Sequence, residues 1–302
     1  MSADRFHPEL RLARFVPRSP ITQRTMPTIQ RLTCLAGRRP PIGGKIERCS
    51  ATSSVRVFRP TDPTLPSTGR PALLWMHGGG LIIGSASMAD SVLRHIARRH
   101  GAVCASVEYR LAPQHPFPAP LEDCWDALVW LSRQPDVDPN RIAIGGESAG
   151  GGLAAALAIL ARERGEVQPC FQVLSYPMLD DRSSDRDDIA PSTLRLWGTT
   201  SNRLGWDSYL GGRRPEELSA WAVPGRCEDL TGLPSAWVGV GTNDLFHDED
   251  LDYACRLREA GSDAELMVVE GAYHGFDLER WAPVAKAYRR AQIDALVTAW
   301  NR

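Results

Sequence analysis

Short, solid apolar runs recur along this chain, and most are followed by a stretch whose apolar residues repeat at helical spacing. The runs at 72–76, 102–107, 141–145, 170–175, 236–241 and 265–269 have almost no polar face, which predicts strands covered on both sides. Helical spacing follows at 88–100, 121–132, 149–161, 248–260 and 283–300. Strands alternating with helices in this way predict an α/β fold, with a mostly parallel central sheet and helices on both faces. Residues 55–58 alternate apolar with polar, the mark of a half-buried strand, while 60–71 and 135–140 carry turn residues and read as a loop and a turn.

Two stretches do not fit the alternation. Residues 1–45 mix arginine, proline and isolated apolar residues, and Pro8, Pro17, Pro20 and Pro27 break them into short pieces. The spaced Leu10, Leu12, Phe15, Val16, Ile21, Ile29 and Leu32 predict that these pieces dock on something rather than trail as a disordered leader. Between Ser175 and Ala236 the chain is far longer than one strand–helix–strand step needs. It opens on a charged loop at 180–188 and then carries Trp197, Trp206, Tyr209 and Trp221 at no strand spacing, which predicts a helical insertion. The organisation expected is an N-terminal cap segment at 1–45 and a main α/β domain at 46–302, with a cap insertion within about 180–225.

Composition narrows the class without changing that picture. The 302 residues, 43% hydrophobic and 24% charged, can bury a full core. A formal net charge of −1 gives no electrostatic case for nucleic acid or an anionic membrane. The seven cysteines form no C-x-x-C pair, which points to reduced thiols and away from a thiolate metal site. Residues 1–20 lack the apolar core of a secretory signal, and no stretch reaches the length of a membrane span. The expectation is a soluble, cytoplasmic protein.

Candidate chemistry starts at Gly146-Glu-Ser148-Ala-Gly150, between an apolar strand and a small-residue helix. That context is the strand, tight turn and helix of a nucleophile elbow. A serine hydroxyl is a poor nucleophile near neutral pH, so it needs a base, and the base needs an orienting acid. In chain order these should follow as acid and then histidine, on loops after later strands. Asp244 closes Gly241-Thr-Asn-Asp244 after one predicted strand, and His274 lies in Glu270-Gly-Ala-Tyr-His274 after the next. Asp248 and Glu249 are rivals for the acid but fall on the following helix, where they would charge its first turn. His95 and His100 read as helix-surface residues, and His247 lies too close to the acid to complete a triad. A tetrahedral intermediate also needs backbone N–H donors for its oxyanion. The loop His77-Gly78-Gly79-Gly80, after an earlier strand, offers N–H groups without side chains in the way, and the Ala149 N–H is a further donor.

Together, His77-Gly-Gly-Gly80, the stretch from Tyr109 to Pro118, Gly146-Glu-Ser-Ala-Gly-Gly151 and Tyr273-His-Gly-Phe276 resemble the bacterial hormone-sensitive-lipase family of α/β-hydrolase carboxylesterases. The resemblance runs from about residue 45 to the C-terminus. It implies an α/β-hydrolase fold with a small helical cap, Ser148 as nucleophile, His274 as base and Asp244 as acid. It further implies Gly78, Gly79 and Ala149 as oxyanion donors, no cofactor or metal, and hydrolysis of short- to medium-chain acyl esters. Many members form dimers, so a homodimer is expected. Four departures stand out: Asp244-Leu-Phe where Asp-Pro-Leu is frequent, Gln114 for glutamate, Gly152 for asparagine, and Glu147 for aspartate. His77 reads as a structural residue holding the glycine loop. Two alternatives stay open: hydrolysis of another acyl bond (lactone, carbamate or amide), and a non-catalytic small-molecule receptor on the same fold, against which the intact His274 speaks.

Overall fold

The computed structural model describes residues 6–62, 64–65 and 67–302. The first five residues of the expected cap segment, and residues 63 and 66 of the 60–71 loop, lie outside the described residues. In chain order the elements are α1 (Met26–Gly37), β1 (Lys45–Arg48), β2 (Ser54–Phe58), β3 (Arg70–Met76), α2 (Asp90–His100), β4 (Val103–Glu108), α3 (Ala119–Ser132) and β5 (Val137–Glu147). They continue as α4 (Ala149–Arg164), β6 (Phe171–Ser175), α5 (Thr199–Leu210), β7 (Ala236–Asn243), α6 (His247–Glu259), β8 (Ala264–Tyr273) and α7 (Pro283–Trp300). The sheet has eight strands in the order β1-β2-β4-β3-β5-β6-β7-β8. β1 and β2, and β2 and β4, pair antiparallel, and every other neighbouring pair is parallel.

The solid apolar runs are explained by two cores, one on each face. Along β3, Leu74 and Met76 enter one core while Leu73 and Trp75 enter the other. The first is closed by α3, α4 and α6, the second by α2 and α7. Burying each such leucine or valine stabilises the fold by about 1.5–3 kcal/mol. α4 lies deepest: every residue from Ala149 to Ala161 is buried, and its small side chains let it approach the sheet closely. Gly165 ends it with a left-handed backbone (φ 68°, ψ 4°) that glycine adopts without strain.

Three expectations need correction. β1 has no counterpart in the pattern, because an edge strand with only Ile46 apolar in Lys-Ile-Glu-Arg shows no periodicity. β2 is not half-exposed. Arg56 is buried, held by Asp90 (Nε–Oδ1 2.7 Å) and by the Gly37 and Arg39 carbonyls at 2.9 and 2.8 Å, so a charged residue occupies an inward position. Of the stretch read as a turn at 135–140, only residues 135–136 turn, and 137–140 already belong to β5, since Val137 pairs with Arg70 across a register shift.

The N-terminal segment and the 180–225 stretch meet. Ser201 Oγ donates to Ile21 O (2.8 Å), Arg195 Nε to Ala13 O (2.6 Å), and Leu196 N to Pro17 O (2.8 Å). Within the insertion, Asn202 accepts from Trp197 Nε1 (3.0 Å) and donates to the Ser183 and Ser184 hydroxyls (2.9 and 3.0 Å). Among the described residues no helix is long and apolar enough to cross a membrane.

Candidate active site

Four loops converge at the carboxyl ends of β3, β5, β7 and β8. Ser148 joins β5 to α4 with φ 56° and ψ −123°, a conformation that costs a non-glycine residue on the order of 1–3 kcal/mol. Glycine on both sides of it is a steric demand. A Cβ on Gly146 would lie 2.4 Å from the Gly150 backbone, and one on Gly150 would lie 2.1 Å from Met76 O. Gly152 is required too, since a Cβ there would sit 2.1 Å from Met178 O, which accounts for the absence of a larger residue.

The structure brings Ser148, His274 and Asp244 into one chain of hydrogen bonds. Asp244 follows β7 and His274 follows β8, whose final pair, Asn243 with Tyr273, sets the two loops side by side. The Asp244 carboxylate only accepts, so His274 Nδ1 carries the proton it donates to Oδ2 (2.9 Å) and Oδ1 (3.1 Å). In the neutral imidazole Nε2 is then the lone-pair nitrogen, 2.9 Å from Ser148 Oγ and placed to accept its proton. Asp244 Oδ1 also accepts from Phe246 N (3.0 Å), and the carboxylate is buried. The imidazole is held edgewise between Tyr176 and Phe246, with ring centroids 4.9 and 5.1 Å away. Neither aromatic stands out in the sequence; the only signal was Phe246 in the Asp-Leu-Phe departure.

The glycine loop is curled by three successive positive φ angles, at Gly79 (120°), Gly80 (60°) and Leu81 (67°). Gly78 departs from the expected oxyanion role: its N–H is directed at Glu147 Oε1, 3.3 Å away. Glu147 Oε2 accepts from Trp75 Nε1 at 2.5 Å, so this carboxyl ties the loop to β3 from beside the serine. Burial pushes its pKa up to about 7, against the lowering effect of the Gly78 N–H. Among the described residues the N–H groups of Gly79 and Gly80 have no acceptor. The Ala149 N–H heads α4, where helix geometry leaves it free.

His77 is buried and stacks on Tyr109 with ring centroids 4.1 Å apart. Its Nδ1 donates to Gly78 O (2.7 Å), Tyr109 Oη donates to His77 O (2.7 Å), and burial lowers its pKa to about 4. A neutral ring so placed braces the loop. The rivals for the acid do other things. Asp248 pairs with Arg186 and His247, and Glu249 accepts from Leu179 N and Asp180 N, at 2.7 and 3.1 Å. Asp250 is buried with no partner on either oxygen among the described residues. His95 and Gln114 are exposed, and His100 is half-buried.

The chain matches the α/β hydrolase fold family over residues 73–278. Among curated relatives it is 35% identical to esterase LipI of Mycobacterium tuberculosis, over 73% of this chain and 70% of that protein. It is also 35% identical to carboxylesterase NlhH of the same species, over 74% and 70%. Solved structures give the same answer over the full length. A bacterial heroin esterase superposes with TM-score 0.85 at 32% identity, covering 99% of each chain. Esterase LipW from Mycobacterium marinum gives 0.86 at 31%, covering 100% of this chain and 98% of that one. With the motifs, the sheet and these relatives agreeing, the chain belongs to the hormone-sensitive-lipase-like group of the α/β-hydrolase fold family.

Proposed function

We propose that the chain is a serine carboxylesterase that hydrolyses short- to medium-chain acyl esters through an acyl-enzyme. The observation that carries this reading is the unbroken Ser148–His274–Asp244 relay, with 2.9 Å at both the serine and the acid link. Ser148 attacks the ester carbonyl as His274 takes its proton, and Asp244 holds the tautomer and stabilises the imidazolium. His274 then protonates the departing alcohol, and water deacylates the serine by the same route. The oxyanion falls to the N–H groups of Gly79, Gly80 and Ala149, the N–H of Gly78 being committed to Glu147. No cofactor or metal enters any step. The contacts of residues 13–21 with 195–201 support a cap built from both segments, close over the site.

Ser148→Ala tests the proposal. Hydrolysis of p-nitrophenyl esters should fall by at least about three orders of magnitude with unchanged circular dichroism, and a fluorophosphonate probe should label only the parent. Substantial turnover by the variant would reject the nucleophile, and an unlabelled parent would favour a receptor. A series from acetate to palmitate, beside lactone and amide panels, tests the chain-length and bond-type parts separately.

A further inference from the structure

The near-neutral total charge conceals a segregation. Residues 6–48 carry nine basic side chains against Glu9 and Glu47, a net +7, so with the whole chain at −1 the remainder holds −8. All nine (Arg11, Arg14, Arg18, Arg24, Arg31, Arg38, Arg39, Lys45 and Arg48) are exposed, and none forms an ion pair among the described residues. The same short segment holds six of the ten exposed large apolar side chains among the described residues. Two of them, Leu32 (62% exposed) and Leu35 (60%), stand on α1.

α1 is apolar on two sides. Its inner side is committed: Gln30 Nε2 donates to Ile82 O (2.8 Å) and Ala112 O (3.1 Å), and Thr33 Oγ1 accepts from Gly84 N (3.2 Å). Met26 and Gly37 are buried. Its outer side presents Thr28, Arg31, Leu32 and Leu35, with Arg24 before the helix and Arg38 and Arg39 after it. Leucines ringed by unpaired guanidinium groups match one environment well: a headgroup layer that takes the leucines at its boundary and pairs the arginines with phosphates and carboxylates. A second copy meeting the same face would set like charges together, and a nucleic acid offers the leucines nothing.

We propose that the outer face of α1 docks on an anionic lipid surface. α1 is bonded to the loop at Ile82 and Gly84, immediately after the glycines beside Ser148. Docking would therefore hold the mouth of the site against the membrane, where apolar esters concentrate. This goes beyond the esterase assignment and does not depend on it.

The test is co-sedimentation of the full chain with vesicles of phosphatidylcholine alone or mixed with phosphatidylserine. Binding should require phosphatidylserine and weaken with added salt. A Leu32→Gln/Leu35→Gln variant and an Arg31→Gln/Arg38→Gln variant should each bind about tenfold less, while turning over a soluble ester in vesicle-free buffer at the parental rate. No sedimentation, equal binding to zwitterionic vesicles, or binding unchanged in both variants would overturn the proposal. So would a parent whose leucine variant loses self-association in analytical ultracentrifugation while keeping its vesicle affinity, which would make the face a self-interface.

Discussion

Glu147 sits one residue before the proposed nucleophile, and its two oxygens are spent on different elements: Oε1 on the Gly78 N–H of the glycine loop, Oε2 on the Trp75 indole of β3. A carboxylate accepts both bonds, whereas an amide must turn its NH2 toward one donor or the other. Glu147→Gln should therefore lower kcat by about tenfold with little change in KM, because a loop that drifts misplaces the oxyanion donors without altering substrate binding. The protein supplies a pH signature as well. With the pKa raised to about 7 by burial, the double acceptor is complete above that value and weakens below it, so the ratio of parental to variant kcat should shrink as pH falls through about 7. Equal kcat for the two proteins at pH 8 would remove Glu147 from this role. The sequence shows three glycines in a row but not which N–H a neighbouring carboxyl consumes, so neither it nor the family resemblance reveals that the Gly78 N–H faces Glu147. The placement of Ser148, Asp244 and His274 is legible because each follows the carboxyl end of a strand, and strand ends can be read; that they join in one hydrogen-bonded chain is visible only in the fold.

Helix α6 shows where pattern reading stops. Its opening Asp248-Glu249-Asp250 looks like acid placed on a helix N-terminus, yet only Asp248 faces outward. Glu249 turns back to the Leu179 and Asp180 amides and fastens the start of the insertion, while Asp250 points into the core with both oxygens unpartnered among the described residues. Nothing in sequence spacing separates an exposed acid from a buried one on adjacent residues; burial arises from the sheet behind the helix. Burial, then the charges of Glu249 and Asp244, raise the Asp250 pKa well above the usual carboxylate range. Asp250 thus stays protonated in the folded state while the unfolded chain ionises above about pH 4, so folding stability declines as pH rises from there. Asp250→Asn removes that slope. Its Tm should exceed the parent's by an amount that grows between pH 5 and 8, by about 2 °C per pH unit, and a Tm difference independent of pH would show that Asp250 does not stay neutral. The other elements stand within a few residues of the sequence pattern wherever both faces are covered, whereas β1 and the start of β5 have no signal there because an exposed edge and a register shift leave no periodic trace.

At the scale of the whole molecule, the N-terminal segment crosses from the β8 edge to the strands on the other side, and a few polar contacts hold it. His7 N donates to Gly271 O (2.9 Å), Leu12 N to Glu279 Oε2 (3.3 Å), and the buried Arg195 spends its guanidinium on the carbonyls of Ala13, Ser192 and Leu194 at 2.6, 2.8 and 2.7 Å while covering the Phe6 ring. The residues directly after Arg195 reach the site's own loops. Leu196 Cδ1 lies 3.1 Å from where a Cβ on Gly275 would stand, and the Trp197 ring would be only 2.0 Å from one on Gly80. Arg195 therefore couples the leader to the segment that packs over both the glycine loop and the histidine loop. In Arg195→Met the side chain still fills the space, but three carbonyls lose a charged donor, a loss of about 2–4 kcal/mol concentrated at this junction. Opening of the leader should then outpace global unfolding. Trypsin should cut at Arg11, Arg14 and Arg18 on the order of tenfold faster in the variant, ahead of any cut at the exposed Arg133 after α3, and kcat/KM for esters should fall with it. If the leader is cut at the parental rate while activity drops, Arg195 acts on the site through Leu196 and Trp197 alone, and the leader is held by Glu279 and Gly271 instead.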